Sequence, residues 1–420
     1  MIYSIILILI VGEWLWGRVL SVLDIKASHW ALPASVEDIY DPDRYARQQQ
    51  YLRTNARFGW FYSTINMLIT VVFFAAGGFG WLDGIVSGWA MGISLSWLPS
   101  EAVAAALFFA GVSLATSIIR WPFSYYDTFV IEQSFGFNKS TRLRFVRDIL
   151  TSLLLNIVLT TLIVIPLVVI YLAIPQWFWL AALGVVLVFQ LFFGEFYSVL
   201  IVPLFNKQTP LADGELRSAI ERFAVRADFS IKGIYVMDAS SRTTKANAYF
   251  TGFGKQKRIV LYDTLIEQLT TDEIVAVLAH EIGHYKHRHT WKSLASGALQ
   301  QMVIFFLMGL CLSSSSLASA AGASEPSFHV NMLMFSFIFT PASILLGMLD
   351  NVLSRRHEYQ ADAFAAQFGM AEPLISALKK ITSQAMGNLN PHPVRVFVDY
   401  SHPTLAQRIE RLRANSEVSK

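Results

Sequence analysis

Residues 278–289 read LAHEIGHYKHRH and contain His280-Glu281-Ile282-Gly283-His284, an H-E-x-x-H motif. On an α-helix, side chains four positions apart share a face, so His280 and His284 can bind one metal ion together. Zinc suits this pair because it binds neutral imidazole nitrogens and keeps an open position in catalytic sites. Glu281 lies about 100° around the helix from His280, near enough to accept a proton from a water molecule on the metal. The motif therefore predicts one Zn²⁺ per chain, with Glu281 as the general base.

The residues before the motif favour a helix. Thr270 and Glu273 form a T-x-x-E pattern, which typically begins a helix, and residues 274–279 are apolar. The motif is short and also occurs by chance on ordinary surface helices. A catalytic zinc site therefore requires a third ligand elsewhere in the chain.

The composition is typical of a membrane protein. Of the 420 residues, 54% are hydrophobic and only 15% are charged, and the mean hydropathy is +0.46. These values are too apolar for a soluble protein of this length. The single cysteine, Cys311, excludes an intramolecular disulfide and a cysteine-rich metal site, so metal ligands must be His, Asp or Glu. The net charge of +3 is modest, and we expect the lipid bilayer but no nucleic acid as a partner.

Seven stretches are long and apolar enough to cross a bilayer. We predict these spans at about residues 1–23, 58–79, 101–121, 149–174, 177–205, 291–312 and 332–353. A cleaved signal peptide is the alternative for the first stretch, although no basic residue precedes its apolar run. The Gly- and Trp-rich residues 80–99 form either a re-entrant or an interfacial segment. We expect the zinc-binding helix to run into the sixth span, and the seventh span to continue unbroken into residues 355–362.

The distribution of Lys and Arg predicts the orientation of these spans. Nearly all basic residues lie in four segments, namely 24–57, 124–148, 206–290 and the C-terminal tail. The alternate loops 80–100, 175–176 and 313–331 contain no Lys or Arg. Strict alternation of seven spans places every basic segment on one side, which the positive-inside rule identifies as the cytoplasm. The predicted zinc site therefore faces the cytoplasm or opens from the membrane on that side.

The chain divides into four predicted regions. Residues 1–205 contain spans one to five, residues 206–290 a polar protease part with the zinc helix, residues 291–353 spans six and seven, and residues 354–420 a second protease part. Patterning within the first polar part predicts a helix at 211–227 and strands at 233–237 and 258–262. Between these strands, residues 247–252 are β-prone and end at Gly252, and an edge strand there could pair with an extended peptide.

The third ligand is predicted at the cytoplasmic end of the seventh span. Glu358 and Asp362 are four residues apart and share a helix face. We assign Glu358 to the metal and Asp362 to a hydrogen bond that orients a ligand histidine. An exposed acidic pair is the alternative interpretation, and it would be preferred if the His motif were absent.

Three motifs together resemble the type I CAAX prenyl endopeptidases, which are membrane zinc metalloproteases. The motifs are H-E-I-G-H-Y-K at 280–286, S-R-R-H-E-Y-Q-A-D-A-F-A at 354–365 and S-H-P-T-L-A-Q-R at 401–408. Supporting similarity lies in I-E-Q-S-F-G-F-N-K at 131–139, P-L-F-N-K at 203–207, T-P-L at 209–211 and N-A-Y-F at 247–250. The resemblance covers essentially the whole chain. It implies an α-helical integral membrane protein, with seven transmembrane helices forming a barrel around a chamber and a mostly helical zinc-protease domain with a small β-sheet on the cytoplasmic side.

The resemblance also implies roles for individual residues. By position, His280, His284 and Glu358 match the zinc ligands, and Glu281 matches the general base. His402 matches a histidine that stabilises the oxyanion, and Arg408 matches a structural or active-site arginine. Asn247, with Ala248 and Tyr249, matches the strand that lines the substrate groove. His402 could instead only begin a helix before Pro403, and Asn247 could only stabilise a turn. His287 is a departure from the family pattern, and we interpret it as a solvated helix residue.

The leading functional hypothesis is a membrane-embedded zinc metalloendopeptidase that cleaves near the C-terminus of prenylated CAAX-type peptides. We expect a monomer, in the endoplasmic reticulum membrane of a eukaryote or the inner membrane of a bacterium. A quality-control protease for misfolded membrane proteins, like the bacterial HtpX group, shares the zinc motifs and is the first alternative. A more distant alternative is a transporter or receptor with a structural metal, which would not require Glu281 beside the first ligand and would commonly show duplicated halves.

Overall fold

The computed structural model describes residues 1–93, 95–251 and 256–418. Most of these residues are helical, and the strands of a four-stranded sheet come between the fifth and sixth membrane spans in the sequence. The helices are α1 (Ile2–Ala27), α2 (Pro42–Ala75), α3 (Gly78–Gly92), α4 (Ser100–Tyr126), α5 (Arg142–Ala173), α6 (Phe178–Leu200), α7 (Glu215–Arg226), α8 (Asp263–Gln268), α9 (Thr271–Lys286), α10 (His289–Cys311), α11 (Ser315–Ala320), α12 (Phe328–Gln367), α13 (Ala371–Gln384), α14 (Pro393–Asp399) and α15 (Leu405–Val418). The strands are β1 (Gln208–Pro210), β2 (Ser230–Met237), β3 (Ala248–Thr251) and β4 (Gln256–Tyr262).

Seven helices among the described residues are long and apolar enough to cross a membrane, as predicted. They are α1, α2, α4, α5, α6, α10 and α12. The helix of the second span begins well before the predicted span start at residue 58. α2 starts at Pro42, capped by Asp41, and so has about four to five turns of polar helix before residue 58. Similarly, α4 continues past its span as a π-helix over Asp127–Glu132. Spans therefore extend as helices into the polar loops.

The seven spans form a closed ring in which each helix contacts the helices before and after it. α1 packs on α2, α4 on α5, α5 on α6, α6 on α10 and α10 on α12, and α12 returns to α1. The gap between α2 and α4 is bridged by α3 and by aromatic contacts of Phe58 with Phe123 and Tyr126. In the most apolar 18-residue stretch of each span, at most 22% of the residues are buried within the protein. The spans thus form a barrel with open space on both faces rather than a close-packed bundle.

Polar cavities lie between neighbouring spans of this ring. One cavity of about 620 Å³ is lined by residues of α1 and α2, including Glu13 and Arg18. Another of about 600 Å³ lies between α4 and α5 and is lined by Arg120, Asp148 and Asn156. Polar side chains within the spans, such as Glu13 and Asn156, therefore line these cavities.

Short helices cover the end of the ring that carries no basic residues. The segment interpreted as re-entrant or interfacial forms α3, which packs with α11 and the ends of α1, α2, α4 and α12 in one apolar cluster. The Gly80 amide donates to the Ala321 carbonyl at 2.9 Å. A Cβ on Gly80 would lie 2.1 Å from the Gly322 backbone, so only glycine allows this approach. His329, buried at the start of α12, also contacts the Asp83 carboxylate at 2.6 Å.

The two polar parts of the chain build one separate hydrophobic core. This core combines the segment before α2 with residues from α7, α8, α9, α12, α13, α15 and the sheet. Ile259, Leu278 and Ile409 lie at its centre and are at most 1% exposed. Residues far apart in sequence therefore fold together, and α9 lies within the core they form.

The sheet has the order β1-β2-β4-β3. β2 and β4 are parallel, while β1 and β3 pair antiparallel to them. Since β3 is at one end of the order, the expectation of an edge strand there agrees with the structure. Gly252, predicted to end this strand, lies outside the described residues.

The hydrophobic core of the polar parts is connected to the ring of spans in two different ways. α9 does not run into the sixth span as expected: it ends at Lys286, and α10 begins at His289 after Arg288, which has a left-handed φ of 57°. By contrast, α12 runs unbroken for 40 residues from the far side of the ring into the polar core, as predicted. The predicted region boundary at 353/354 therefore falls inside one helix, and the division into four regions remains a prediction.

Candidate metal centre

The helix that carries the H-E-x-x-H motif is anchored firmly at its start. The Thr270 amide donates to the Glu273 carboxylate at 2.8 Å, and the Glu273 amide donates to the Thr270 hydroxyl at 3.3 Å, which together make the predicted capping box. Glu273 also accepts hydrogen bonds from Ser376 at 2.6 Å and Lys380 at 2.8 Å on α13. Because α9 is fixed to the core in this way, the position of its histidines is fixed too.

Three predicted ligands converge at the point where α9 crosses α12. His280 Nε2 lies 3.2 Å from His284 Nε2. Glu358 Oε2 lies 3.5 Å from His280 Nε2, and Glu358 Oε1 lies 3.2 Å from His284 Nε2. His280 and Glu358 are 6% and 4% exposed. These side chains are the cluster with metal-binding geometry in the described part of the chain.

The spacing of these atoms fits a tetrahedral metal ion. Ligand atoms about 2.0–2.1 Å from a tetrahedral zinc lie about 3.3 Å from one another. The three measured separations are 3.2, 3.2 and 3.5 Å. Glu358 Oε2 is also buried without a hydrogen-bond partner in the part of the chain that the structure describes. This oxygen lies 3.5 Å from His280 Nε2 and 3.5 Å from Arg408 Nη1, and a metal ion bound here would give it the partner that it lacks.

Asp362 and Arg408 contact Nδ1 of His280, the ring nitrogen that does not face the other two predicted ligands. His280 Nδ1 lies 2.8 Å from Asp362 Oδ1 and 3.3 Å from Arg408 Nη2. A guanidinium can only donate, so the hydrogen bond is the shorter contact, in which His280 Nδ1–H donates to the carboxylate. Arg408 binds Asp362 through two nitrogens, at 2.6 and 3.0 Å, and lies 3.5 Å from Glu358. The arrangement leaves Nε2 of His280 free for a metal.

The charges around His280 have a large effect on its pKa in the metal-free site. Burial and the nearby Arg408 guanidinium lower the pKa, but hydrogen bonds to Asp362 and Glu358 outweigh them and raise it to about 9. A proton and a metal ion compete for the same nitrogen. Metal binding by this cluster is therefore expected to weaken as the pH falls.

Gly283 allows the two ligand-bearing helices to touch. A Cβ at this position would lie 2.9 Å from the Ala361 Cα atom and 3.0 Å from Phe364 Cβ. A side chain there would push α9 and α12 apart. The fourth position of the motif therefore has to be small for the two helices to meet.

The predicted catalytic residues lie on two sides of the cluster. Glu281 follows His280 on α9 and is partly exposed. His402, in the turn before α15, has 63% of its side chain exposed, and its Nε2 lies 3.5 Å from Glu358 Oε1. The Ser401 hydroxyl contacts His402 Nδ1 at 2.9 Å. His402 therefore lies at the solvent-facing side of the cluster.

The predicted substrate strand lies on the sheet and contributes no ligand to the metal cluster. Asn247 is exposed, and its side-chain oxygen accepts from the Ala248 amide at 2.8 Å, as in a local turn. Ala248 and Tyr249 begin β3, and the Tyr249 hydroxyl accepts from Gln208 at 3.3 Å. A role of these residues in substrate binding remains a prediction.

One histidine beside the second ligand was not singled out from the sequence. His289 is 4% exposed at the start of α10, and its Nδ1 lies 3.0 Å from His284 Nδ1. His287, interpreted as a solvated residue, is indeed exposed. The signal for His289 is present in the sequence as the fourth histidine of residues 278–289, five residues after His284. Its contact depends on the break after α9, which the sequence pattern did not predict.

Comparisons with known proteins agree along the whole chain. Residues 23–207 match the model of the CAAX prenyl protease N-terminal region with five membrane helices, and residues 210–416 match peptidase family M48. CAAX prenyl protease 1 homolog of Oryza sativa is 35% identical over 91% of this chain and 90% of its own length. CAAX prenyl protease 1 of Saccharomyces cerevisiae is 34% identical over 94% and 91%. The crystal structure of S. mikatae Ste24p superimposes with a TM-score of 0.91 at 32% identity, covering 98% of both chains.

Proposed function

This chain belongs to the CAAX prenyl protease family of the M48 peptidases, and from that membership we propose that it is a zinc enzyme that cleaves CAAX-type peptides. It is an integral membrane metalloendopeptidase. The observation that carries the finer proposal is the cluster of His280, His284 and Glu358, whose ligand atoms lie 3.2–3.5 Å apart. Glu281 follows His280 in the chain, and His402 lies 3.5 Å from Glu358.

We assign zinc to this cluster because two imidazoles and one carboxylate are a common ligand set of catalytic zinc sites. Bound zinc would lower the pKa of water and polarise the scissile carbonyl. Glu281 takes the proton from the attacking water and passes it to the leaving amine. His402 donates a hydrogen bond to the scissile carbonyl oxygen as negative charge develops on it. Asp362 holds His280 in the tautomer that can bind metal, and Arg408 balances the charge of Asp362.

The substrate proposal rests on the relatives' names and on the position of β3 at the end of the strand order. Several relatives are named CAAX prenyl proteases. We propose that an extended C-terminal peptide pairs with β3 through Asn247, Ala248 and Tyr249, since edge-strand pairing holds a backbone independently of its side chains. A prenyl group attached to that peptide would occupy apolar space in the ring. We propose that one monomer carries the complete site, because all assigned residues come from a single chain.

The location of the site follows from the charges of the loops. The polar core is built from the segments rich in Lys and Arg, whereas the covered end of the ring has none. By the positive-inside rule, we propose that the active site is cytoplasmic. In a eukaryotic cell the membrane would be that of the endoplasmic reticulum, and in a bacterium the inner membrane.

The alternatives gain little support. An HtpX-like quality-control protease would share the metal cluster, but the chain aligns with about nine-tenths of the length of the CAAX prenyl proteases, including their N-terminal membrane helices. A transporter or receptor with a structural metal does not agree with membership of a peptidase family.

The test is peptide cleavage by protein purified in detergent, with farnesylated and unprenylated CAAX peptides. We expect one zinc per chain in the wild type and in Glu281→Gln. Cleavage should fall by about 10²–10⁴-fold in Glu281→Gln, because the variant lacks the general base but keeps the ligands. Treatment with a chelator should remove both zinc and cleavage. Equal cleavage of both peptides would favour quality control, and a folded protein without zinc would contradict the zinc proposal.

A further inference from the structure

A chain of hydrogen bonds links the second metal ligand to the helix that carries the third. His289 Nδ1 lies 3.0 Å from His284 Nδ1, and His289 Nε2 lies 2.8 Å from Gln360 Oε1. The His289 ring also stacks on His357 at 4.0 Å, with an angle of 14° between the rings. His357 and Gln360 flank Glu358 on α12. The orientation of His289 is thus fixed by α12 on two sides.

Metal binding through Nε2 of His284 would determine the direction of these hydrogen bonds. If His284 Nε2 binds a metal, that nitrogen carries no proton, so the proton of the neutral ring is on Nδ1. His284 Nδ1–H must then donate, and His289 Nδ1 must accept. A neutral His289 that accepts at Nδ1 carries its own proton on Nε2, and donates it to the Gln360 carbonyl oxygen. The opposite direction would place a proton on the metal-binding nitrogen of His284.

We propose that His289 is a positioning residue for the metal site, which holds His284 in its metal-binding tautomer through a relay that ends at Gln360. This inference rests on the proposed zinc site and deepens it. His280 is oriented directly by Asp362, whereas His284 is oriented through His289. Both relays end on α12, at positions 360 and 362.

The break between α9 and α10 makes this contact possible. In a continuous helix, positions 284 and 289 would be about 140° apart around the axis. The left-handed Arg288 turns the chain, and the first residue of α10 then faces back to His284. The break therefore positions the relay as well as joining the two helices.

The test compares zinc binding in His289→Leu, His289→Asn and His287→Ala with the wild type, using purified full-length protein and competition with a chromogenic zinc chelator. His289→Leu removes the acceptor, and we expect zinc affinity to fall by about 10–100-fold, with faster loss of zinc to the chelator. The Asn side chain can place an oxygen near the position of Nδ1, so His289→Asn should recover most of this loss. His287→Ala removes an exposed ring that stacks on His289 at 5.4 Å but takes no part in the relay. This variant tests for loss of packing around His289 and should bind zinc like the wild type.

Two further readouts separate orientation from general damage. Cobalt-substituted protein should show an altered visible spectrum in His289→Leu but not in His287→Ala. Gln360→Glu keeps an acceptor for His289 and should retain zinc affinity, whereas Gln360→Leu should weaken it. Unchanged zinc affinity and an unchanged cobalt spectrum in His289→Leu would overturn the inference, as would equal losses in the Leu and Asn variants. If wild-type protein bound no zinc, the proposed function itself would fail.

Discussion

The two helices that bring the proposed metal ligands together are built in opposite ways. α9 is 16 residues long, lies within the polar core, and is separated from the next membrane span by a break at Arg288. α12 is 40 residues long and carries Glu358 from within the ring to the same point without a break. The histidine pair therefore belongs to the core, and the carboxylate belongs to a membrane helix.

This difference shows which parts of the site depend on the ring of membrane helices. The core can orient His280 and His284 on α9, but the third ligand, the Asp362 carboxylate and the Gln360 carbonyl all arrive on α12. A movement of α12 relative to α9 would change three features of the site at once. The contact of Gly283 with Ala361 is where the two helices meet.

The largest effect is expected from Asp362→Asn, which removes the carboxylate by which α12 supports His280. Asp362 is fully buried, and Arg408 would lose its bidentate partner while remaining 8% exposed. Breaking a buried ion pair costs about 3–5 kcal/mol, and loss of the ligand-orienting hydrogen bond should weaken zinc binding by about 10–100-fold. Thermal unfolding and zinc competition would measure the two effects.

A matched control lies on the same helix. Asp350 is exposed and accepts a hydrogen bond from Gln300 at 2.7 Å. Asp350→Asn should change the free energy of unfolding by at most about 1 kcal/mol. If Asp362→Asn were equally mild, the carboxylate would not be the support for His280 that its contacts indicate.

A smaller effect is expected from Gly283→Ala, which acts on the contact between the two helices. The added methyl group would lie 2.9 Å from the Ala361 Cα atom, and overpacking of this kind costs about 1–3 kcal/mol. Because α9 must move away from α12, zinc affinity should fall together with thermal stability. Gly297→Ala on α10 meets nothing within 4 Å and is the control. Unchanged zinc binding in Gly283→Ala would show that the ligands tolerate separation of the helices.

The smallest effect is expected from Glu273→Gln, which weakens the anchor of α9 at the end away from α12. Burial raises the pKa of Glu273, but hydrogen bonds from Lys380, Ser376 and Thr270 outweigh it and bring the pKa below the usual value of a glutamate. Replacing the carboxylate should cost about 1–2 kcal/mol at pH 7 with little change in zinc affinity.

The pH dependence of this variant gives a second check. A carboxyl group whose pKa is lowered by folding stabilises the folded state above its unfolded pKa, and loses this contribution as the pH falls through its folded pKa. The difference in unfolding temperature between wild type and Glu273→Gln should therefore shrink as the pH falls below 4.5. A constant difference across this range would contradict an ionised Glu273 as its source.

Much of this architecture could be predicted because its signals are local. The seven spans follow from hydropathy, and α9 follows from the Thr270 and Glu273 cap and the spacing of two histidines. Glu358 and Asp362 could be paired because they are four residues apart on a helix that continues a span. Arg408 was singled out only by resemblance, and its contact with Asp362 was not predicted because nothing local to the residue points to it.

The rest depends on contacts between distant residues. The break at Arg288 lies within a polar stretch, His287 to Thr290, that is compatible with a continuous helix, and an arginine with positive φ has no local signal. The relay from His289 joins residues 71 positions apart in sequence. The extra length of α2 was missed because residues 42–57 are too polar to be recognised by hydropathy, although they are helical.

The unbroken α12 also has a consequence for how the enzyme is made. The ribosome synthesises both histidines of α9 before it reaches the seventh span, and Glu358 follows only at the end of that span that enters the polar core. A nascent chain that has emerged as far as α10 therefore has the motif but no third ligand. We expect the growing protein to lack proteolytic activity until its last membrane helix has been inserted, so that unfinished copies do not cleave their neighbours.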